Sequence, residues 1–189
     1  MPPPPVGFRK NGVTAPEITP FDWTRFSPRE RAVLCFIVEG GQVLLILKKR
    51  GLGGGKINAP GGKIEPGEAA WEAAIRESQE EVGLTPHDPE PRGVICFEFT
   101  DGYSLHCTVF IARGCSGTPV ETDEARPFWN PLTTIPYDEM WEDDRIWLPL
   151  LMRGETFCGY FHFDGETMLS HELRTGVRVD PVSGTASLP

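Results

Sequence analysis

The stretch that most constrains this chain is residues 62–84, which read GKIEPGEAAWEAAIRESQEEVGL. Its central part, Glu68–Val82, has strong helix formers and no internal proline or glycine, so it predicts a helix of about four turns. Pro66 and Gly67 mark a turn before this helix, and Gly83 is typical of the residue that ends one. The sequence therefore predicts a turn, a long helix and a sharp stop.

The spacing of the glutamates places several carboxylates together on this helix. Glu77 and Glu81 are one turn apart and share a face, and Glu80 flanks the same face. Ala70 and Ala73 are expected on this face too, where small side chains leave room for a ligand. The stripe that we expect to pack on a sheet consists of Trp71, Ala74, Ile75, Ser78 and Val82.

Three crowded carboxylates repel one another, so this face of the helix needs a positive charge nearby. Arg76 offsets part of the repulsion, and a bound Mg²⁺ would offset more, because it takes hard oxygen ligands. A solvated acidic helix face is the alternative. The preceding Gly61-Gly62 turn, Glu68 and Arg76 favour a divalent-metal site beside a phosphate-binding loop, as cleavage of a nucleoside polyphosphate requires.

The pattern Gly62-x5-Glu68-x7-Arg76-Glu77-x-x-Glu80-Glu81-x-Gly83 resembles the Nudix box. The departure is Ser78, where that family usually has an aliphatic residue, and there we expect a cost in stability rather than in chemistry. The resemblance implies an enzyme with an α/β fold, an αβα sandwich with a mixed central sheet. It also implies Mg²⁺ as the cofactor, with Mn²⁺ as a substitute.

The resemblance extends beyond the box, over roughly residues 32–173. Residues 47–62 (LKKRGLGGGKINAPGG), 97–99, 117–124 and 140–144 are similar to the animal oxidised purine nucleoside triphosphatases of the MutT type. This similarity implies hydrolysis of 8-oxo-dGTP and 2-hydroxy-dATP to a monophosphate and pyrophosphate, which would sanitise the nucleotide pool and limit DNA damage. Leu52 stands where the animal enzymes carry Phe, so the base preference is left open.

The resemblance also assigns roles around the metal. Glu77, Glu80, Glu81 and the Gly61 carbonyl would hold Mg²⁺, and Glu68 would be a further ligand or a support. Arg76 would orient the carboxylates. Either Glu80 or Glu124 would orient or deprotonate the attacking water, although Glu124 could instead be a surface acid.

Adjacent acids at Asp143 and Asp144 predict a base-binding pocket. Two buried neighbouring carboxylates cannot easily both ionise, so the pKa of one should rise. A pair that shares one proton offers both a donor and an acceptor, which suits the edge of an oxidised purine. In the resembling family the matching acids contact the base edge. A solvated helix start is the alternative.

Other candidate substrate-binding residues flank these acids in the resemblance. The residue matching Trp141 stacks on the base, and the one matching Asn58 contacts the purine. Phe97 and Phe99 alternate on a strand and face one side, where they line the pocket or fill the core. Lys48 and Lys49 point to opposite faces of a strand, so only one of them can serve the site. The resemblance favours Lys48 as a substrate-binding residue, and a solvated lysine at the strand end is the alternative. Gly61 and Gly62 of the phosphate-binding loop are further candidates.

Composition limits the partners. A net charge of −9 argues against a nucleic-acid duplex, and no run is long enough to span a membrane. Five cysteines without CxxC spacing indicate reduced thiols in a cytoplasmic protein. We expect a monomer that binds a small nucleotide.

The chain divides into a Pro-rich arm at residues 1–28, a catalytic domain at 29–175 and a tail at 176–189. Three hairpins are predicted around Gly40-Gly41, Asp101-Gly102 and Asp164-Gly165. Residues 126–129 predict a strand that returns to the sheet, and residues 138–152 predict a second helix, which Pro149 should kink or end.

Two other functions fit the same sequence. The first is a Nudix enzyme acting on an undamaged nucleoside triphosphate, a dinucleoside polyphosphate or ADP-ribose. The second is a non-catalytic nucleotide- or protein-binding module. Such modules are expected to lose box carboxylates, whereas this chain retains them all. Only the Pro-rich arm favours a non-catalytic module.

Overall fold

The structure is a computed structural model that describes residues 25–188. Most of the predicted arm therefore lies outside the described residues. The helices are α1 (Ala70–Val82) and α2 (Asp144–Met152). The strands are β1 (Glu30–Glu39), β2 (Gln42–Lys48), β3 (Ile57–Asn58), β4 (Leu84–Pro86), β5 (Glu90–Phe99), β6 (Ser104–Ala112), β7 (Cys115–Gly117), β8 (Ala125–Pro131), β9 (Phe157–Asp164), β10 (Thr167–Thr175), β11 (Arg178–Val179) and β12 (Ala186–Ser187).

A mixed sheet forms the centre of the fold. Its strand order is β10-β9-β5-β6-β1-β2-β3, and β8 pairs with β2. The pairs β1–β6 and β5–β9 are parallel, and the other pairs in this sheet are antiparallel. The three predicted hairpins are confirmed as β1–β2, β5–β6 and β9–β10, and β8 is the predicted returning strand.

Helices cover both faces of this sheet. Alternate residues of β1 point to opposite faces. Val33, Cys35 and Ile37 pack with the alanines of α1, while Phe36 and Val38 pack with Trp147, Leu148 and Leu151 of α2. The predicted αβα sandwich with a mixed central sheet is confirmed.

The buried stripe of α1 differs in part from the predicted one. Ala74, Ser78 and Val82 are buried as expected, but Trp71 is 40% exposed, and Ile75 is only half-buried. The positions against the sheet are instead taken by Ala70 and Ala73. Periodicity predicts the spacing of the buried residues but not which side of the helix faces the sheet. The small side chains of Ala70 and Ala73 let α1 approach the sheet closely on the side where they lie. Ser78 donates its hydroxyl to the Ala74 carbonyl at 2.8 Å, so this buried polar group is satisfied.

The second helix is shorter than predicted and continues past its proline. A 3-10 turn at Tyr137–Glu139 precedes it, and α2 itself begins at Asp144. Pro149 lies inside α2, which ends only after Met152. Pro149 therefore does not end the helix, and the alternative of a kink at this residue stays a prediction. The side chains of Leu148 and Leu151 are buried, so the last turn packs in the core.

The end of the chain also differs from the sequence prediction. Residues 176–188 do not extend away as a tail, since β11 and β12 pair as an antiparallel hairpin. Val177 and Val179 pack into a cluster with Val94 and Cys158 on the sheet. A run rich in glycine, proline and serine resembles a tail in composition, but here those residues form the turn of a packed hairpin.

The cysteines match their prediction as thiols. All five are free, and four of them are buried, whereas Cys115 is partly exposed. No helix in residues 25–188 has the length and apolar character needed to cross a membrane.

Candidate active site

One cleft of about 560 Å³ joins most of the candidate residues. Its volume is in the range typical of small-molecule sites. The carboxylate end, as we call it, contains Glu77, Glu81 and Glu124 with Lys48 and Arg50. The aromatic end contains Phe97, Phe99, Trp141, Asp143 and Asp144, and Asn58 and Gly61-Gly62 also line the cleft.

The glycine turn before α1 packs directly against the glutamates. The Gly61 N–H donates to Glu81 Oε2 at 2.9 Å, which fixes that carboxylate. A Cβ on Gly61 would lie 2.1 Å from the Val33 carbonyl oxygen, and one on Gly62 would lie 2.4 Å from the Glu77 carboxylate carbon. Both positions therefore require glycine for close approach, one to the backbone of β1 and one to a site carboxylate.

Gly62→Ala should displace Glu77 while the protein still folds, because the clashing atoms belong to a mobile side-chain end. A misplacement of about 1 Å costs about 10²-fold in rate, and we expect kcat to fall by that order. Steady-state kinetics and urea denaturation check the prediction. Gly61→Ala is the contrasting variant, since its clash is with backbone and should lower the free energy of unfolding. Wild-type kcat in Gly62→Ala would contradict the assignment of Glu77.

Arg76 organises three of the four box glutamates. Its Nε and a terminal nitrogen donate to the two oxygens of Glu68 at 2.7 and 2.9 Å. Its other terminal nitrogen donates to Glu77 at 2.8 Å and to Glu80 at 3.0 Å. The Glu68 and Glu77 contacts raise the pKa of Arg76 and keep it charged. The predicted orienting role of Arg76 therefore has a geometric basis.

Arg76→Lys keeps the charge but loses the paired hydrogen bonds to Glu68 and the separate hydrogen bond to Glu77. We expect the free energy of unfolding to fall by about 1–3 kcal/mol, with a lower kcat. The matched control is Arg145→Lys, whose exposed pair with Asp138 should matter by less than about 0.5 kcal/mol. Urea denaturation and kinetics measure both, and equal small changes in the two variants would show that the network is not structural.

The predicted catalytic glutamates do not all reach the cleft. Glu77, Glu81 and Glu124 line it, whereas Glu68 and Glu80 are held by Arg76 outside its lining. The Glu80 side chain is 62% exposed. Glu80 does lie beside Glu77, as helical spacing predicts, because one terminal nitrogen of Arg76 donates to both, but its side chain points largely to solvent.

Burial and mutual repulsion shape the carboxylate end. Desolvation raises the pKa of Glu77, and the charges of Glu80 and Glu124 add to that rise against the opposing effect of Arg76. Desolvation also raises the pKa of Glu81, which is opposed by the Gly61 hydrogen bond and by Lys48. The negative charges of these carboxylates repel one another, and Arg76, Lys48 and the Gly61 hydrogen bond only partly offset the cost of burying them.

This donor set suits a hard divalent cation in its chemistry. Carboxylate oxygens are the ligands that Mg²⁺ prefers, and crowded buried carboxylates gain from a cation between them. Within residues 25–188, no three acidic, histidine or cysteine side chains already converge as a metal cage. Arg76 binds both oxygens of Glu68 but only one oxygen each of Glu77 and Glu80, which leaves the second oxygen of those two for a cation.

The three consecutive basic residues Lys48, Lys49 and Arg50 have different partners. Lys48 Nζ lies 3.7 Å from Glu81 Oε1 and is 25% exposed, so it faces the cleft. Lys49 pairs instead with Glu121 at 2.8 Å, as the opposite faces of a strand require. Arg50 pairs with Glu124 at the mouth of the cleft. Arg50 was not among the predicted site residues, although it follows the predicted Lys48-Lys49 pair.

The two aspartates at the aromatic end are nearly inaccessible. Asp143 is 1% exposed and Asp144 is 2% exposed. Asp143 Oδ2 accepts from Trp147 Nε1 at 2.8 Å, and Asp144 Oδ2 accepts from the Trp141 N–H at 2.9 Å. Burial raises the pKa of both carboxyls, and the charge of Asp143 raises that of Asp144 further. The predicted elevated pKa of a buried pair is thus supported, and a solvated helix start is excluded.

One oxygen of this pair has no partner. Asp143 Oδ1 is buried and lacks a hydrogen bond within the described part of the chain. Buried polar atoms are nearly always paired, so this oxygen, on a residue that lines the cleft, calls for a donor from a water molecule or a ligand.

Aromatic rings form the rest of this end. Trp141 meets Phe99 and Phe163 edge-on, with ring centroids 6.2 and 5.5 Å apart. Phe97 packs against Phe161 and also lines the cleft, so it fills both roles left open by the sequence. Lys56 Nζ lies 5.2 Å from the centre of the Trp141 ring. Asn58 Oδ1 accepts from the Ala59 N–H at 2.8 Å, which fixes its side chain at the cleft.

Several lining residues were missed by sequence reasoning. Trp147 could have been found from its i, i+4 spacing to Asp143, while the others carry no local signal because they reach the cleft from separate strands and loops. These others include Glu30, Lys63, Tyr103, Leu105 and Cys107.

Comparison with known proteins agrees with this site. Residues 28–151 match the NUDIX domain family. The chain is 43% identical over 144 residues to the oxidized purine nucleoside triphosphate hydrolase of Danio rerio, covering 74% of this chain and 91% of that protein. It is 42% identical over 143 residues to the mouse (Mus musculus) protein of the same name, covering 75% and 92%.

A solved structure shows the same architecture. The crystal structure of a mutator MutT protein from Bacillus halodurans aligns with a TM-score of 0.69 and 30% identity, over 76% of this chain and 97% of that one. With Glu77 and Glu81 of the box at one end of the cleft, these matches show that the chain belongs to the Nudix family of hydrolases.

Proposed function

We propose that this protein hydrolyses oxidised purine nucleoside triphosphates, such as 8-oxo-dGTP and 2-hydroxy-dATP, to the monophosphate and pyrophosphate. One observation carries the proposal: a single cleft joins a cluster of carboxylates to a buried acid pair framed by aromatic rings. The first end suits a polyphosphate with its cation, and the second suits a purine. The names of the Danio rerio and Mus musculus relatives support this substrate class.

At the carboxylate end, Glu77 and Glu81 would hold the cation, which we propose to be Mg²⁺ with Mn²⁺ as a substitute. The bound cation would neutralise phosphate charge and lower the pKa of a water molecule. Arg76 and the Gly61 N–H keep the two carboxylates in place. The Gly61 carbonyl, Glu68 and Glu80 remain further candidates for the cation.

The base that activates water is best assigned to Glu124. This side chain lines the cleft near Glu77 and Glu81, since its charge contributes to the raised pKa of both. Glu80, the other sequence candidate, lies outside the lining and is held by Arg76. Lys48 and Arg50, both at the cleft, would face the phosphates, and Gly62 would allow their close approach.

At the aromatic end, Asp143 and Asp144 would share one proton and so offer a donor and an acceptor to the purine edge. Trp141 would stack on the base, which contributes about 1–3 kcal/mol. Phe97 would wall the pocket, and Asn58 would reach the purine from another side. Oxidation changes the donor pattern of a purine, and the buried pair can match that change in a way that two charged carboxylates cannot.

The deciding experiment compares kcat/KM for 8-oxo-dGTP, 2-hydroxy-dATP and dGTP with Mg²⁺, from released pyrophosphate. A strong preference for one oxidised purine supports the proposal. Equal or absent turnover of all three overturns the base assignment, and ADP-ribose and dinucleoside polyphosphates would then be tested.

The proposed setting is a cytoplasmic monomer. Free buried thiols suit a reducing compartment. Light scattering after size exclusion would test the monomer, since a dimer would double the 21.0 kDa mass.

A further inference from the structure

The start of α1 is capped by the opposite end of the chain. The first N–H groups of a helix have no partner within the helix, and side chains usually cap them. The residue before α1 is Ala69, whose side chain has no acceptor. The Ala70 N–H donates instead to the Val182 carbonyl at 3.0 Å, and the Trp71 N–H donates to the Pro181 carbonyl at 3.1 Å.

These two carbonyls belong to a hydrogen-bonded turn, residues 180–185, which we call the capping loop. Asp180 Oδ1 accepts from the N–H of Val182 at 2.9 Å and from that of Ser183 at 2.7 Å. It also accepts from the Ser183 hydroxyl at 3.0 Å. The strands β11 and β12 close the loop from both sides. One carboxylate therefore sets the shape of the loop that presents the carbonyls.

The capping loop is also tied to the central sheet. Thr108 of β6 is fully buried and donates its hydroxyl to the Gly184 carbonyl at 2.9 Å. Gly184 has φ +66°, and a Cβ there would lie 2.3 Å from that hydroxyl oxygen. Arg31 of β1 donates to the Ser183 carbonyl. The loop thus connects two central strands to the first turn of α1.

This connection leads directly to the catalytic carboxylates. Glu68 lies two residues before α1 and accepts two hydrogen bonds from Arg76, which also donates one to Glu77. The strands that the loop contacts also border the cleft, through Val33 of β1 and Cys107 of β6. A fixed start of α1 therefore fixes the height and rotation of Glu77 and Glu81 relative to the sheet.

We propose that the capping loop is a positioning element for the catalytic helix, and that it sets the metal-binding geometry of Glu77 and Glu81 from outside the cleft. Its kinetic consequence rests on the proposed function. Rate is sensitive to displacements of about 1 Å, so a frayed first turn should cost turnover even though no capping residue meets substrate.

Two variants test this role. Thr108→Val removes the hydroxyl with little change of shape, and Asp180→Ala removes the acceptor that shapes the loop from an exposed position. Arg178→Ala, an exposed change on β11, is the matched control. If Thr108→Val fails to fold, Asp180→Ala still decides, because its side chain lies on the surface.

Three measurements are made on the full chain. Amide hydrogen exchange should accelerate at Ala70 and Trp71 in both variants but not in the control. We expect kcat for 8-oxo-dGTP to fall by about tenfold with KM changed less than about twofold, as for a loss of transition-state alignment. The Mg²⁺ concentration for half-maximal rate should rise, and Mn²⁺ titration followed by electron paramagnetic resonance should show weaker binding.

The outcomes separate this inference from the proposed function. Faster exchange with unchanged kcat and unchanged Mn²⁺ affinity would make the loop merely structural and overturn the inference. Unchanged exchange in Asp180→Ala would overturn it as well. If the wild-type protein hydrolyses none of the nucleotides, the proposed function fails, while exchange and Mn²⁺ affinity still decide the positioning role.

Discussion

Glu81→Gln is expected to lower kcat for 8-oxo-dGTP by about 10³-fold or more, in the range typical of lost charge stabilisation in an active site. Glu81 is 3% exposed, and its carboxylate is fixed by the Gly61 N–H in the cleft. The amide oxygen of glutamine can still accept that hydrogen bond, but the negative charge that would hold a cation is gone. Glu77→Gln should behave in the same way.

Stability should move in the opposite direction. Burial raises the pKa of Glu81, so its charged form costs folding free energy at neutral pH. Replacing the charge by a neutral amide should leave the free energy of unfolding unchanged or higher, despite the loss of the Lys48 partner. Urea denaturation measures this, and it separates a chemical defect from unfolding.

The matched control is Glu39→Gln, an exposed glutamate at the end of β1. It should retain wild-type kcat and stability. Near-wild-type turnover in both Glu77→Gln and Glu81→Gln would refute the cation site. A loss of kcat that tracks a loss of folded protein would equally remove the case for a catalytic role.

Asp143→Asn is expected to reduce the preference for an oxidised purine, measured as the kcat/KM ratio of 8-oxo-dGTP to dGTP, by about 10²-fold. Asparagine is close in shape, and its oxygen can keep the bond from Trp147 Nε1. The unpaired Asp143 Oδ1, however, becomes an NH₂ group that only donates. The pair can then no longer exchange donor and acceptor roles at the purine edge.

Asp138→Asn is the control for this variant, since Asp138 is 94% exposed and pairs only with Arg145 among its described contacts. It should leave the substrate ratio unchanged. An unaltered ratio in Asp143→Asn would instead show that the acid pair does not read the base, and the enzyme would then belong with the Nudix hydrolases of other nucleotides.

The same pair predicts a pH dependence. Burial raises the folded-state pKa of both carboxyls above that of the unfolded chain, so the folded protein binds a proton more tightly. That contribution to stability is present at low pH and is lost as pH rises through the folded pKa. Thermal stability should therefore decline as pH rises from about 3.9, the ordinary pKa of an aspartate, through about 6, the folded pKa of Asp143, and should decline further as Asp144 loses its proton. The oxidised-purine preference should fall as the pair loses its shared proton, and Asp143→Asn should flatten the stability profile.

Much of the fold and site was predictable because its signals are local. Glycine-containing turns, one Gly-Gly and two Asp-Gly, predicted the three long hairpins, and helix propensity with Gly83 predicted α1. The spacing of Glu77 and Glu81 put both on one side of α1, and the adjacent Asp143 and Asp144 predicted a raised pKa. Each of these depends on neighbours in sequence or on a helical period.

Other features depended on contacts between distant segments. Trp71 was expected on the sheet, but its large ring lies at the flank while Ala70 and Ala73 pack inside. The choice between two apolar stripes is made by how closely a helix can approach a sheet. Glu80 fell outside the cleft for the same reason, because the rotation of α1 on the sheet decides which glutamate points where.

The chemistry of this protein can be read from its sequence, which has carboxylates at helical spacing, a glycine turn beside them and two adjacent acids further on. The order of these residues is set by the covalent chain, and the period of a helix then decides which of their side chains share a face. Only folding brings Glu124 beside Glu77 and Glu81 in the cleft and places residues 180–185 over the start of α1. Such contacts join residues far apart in the chain, and only the burial of a common core brings them together.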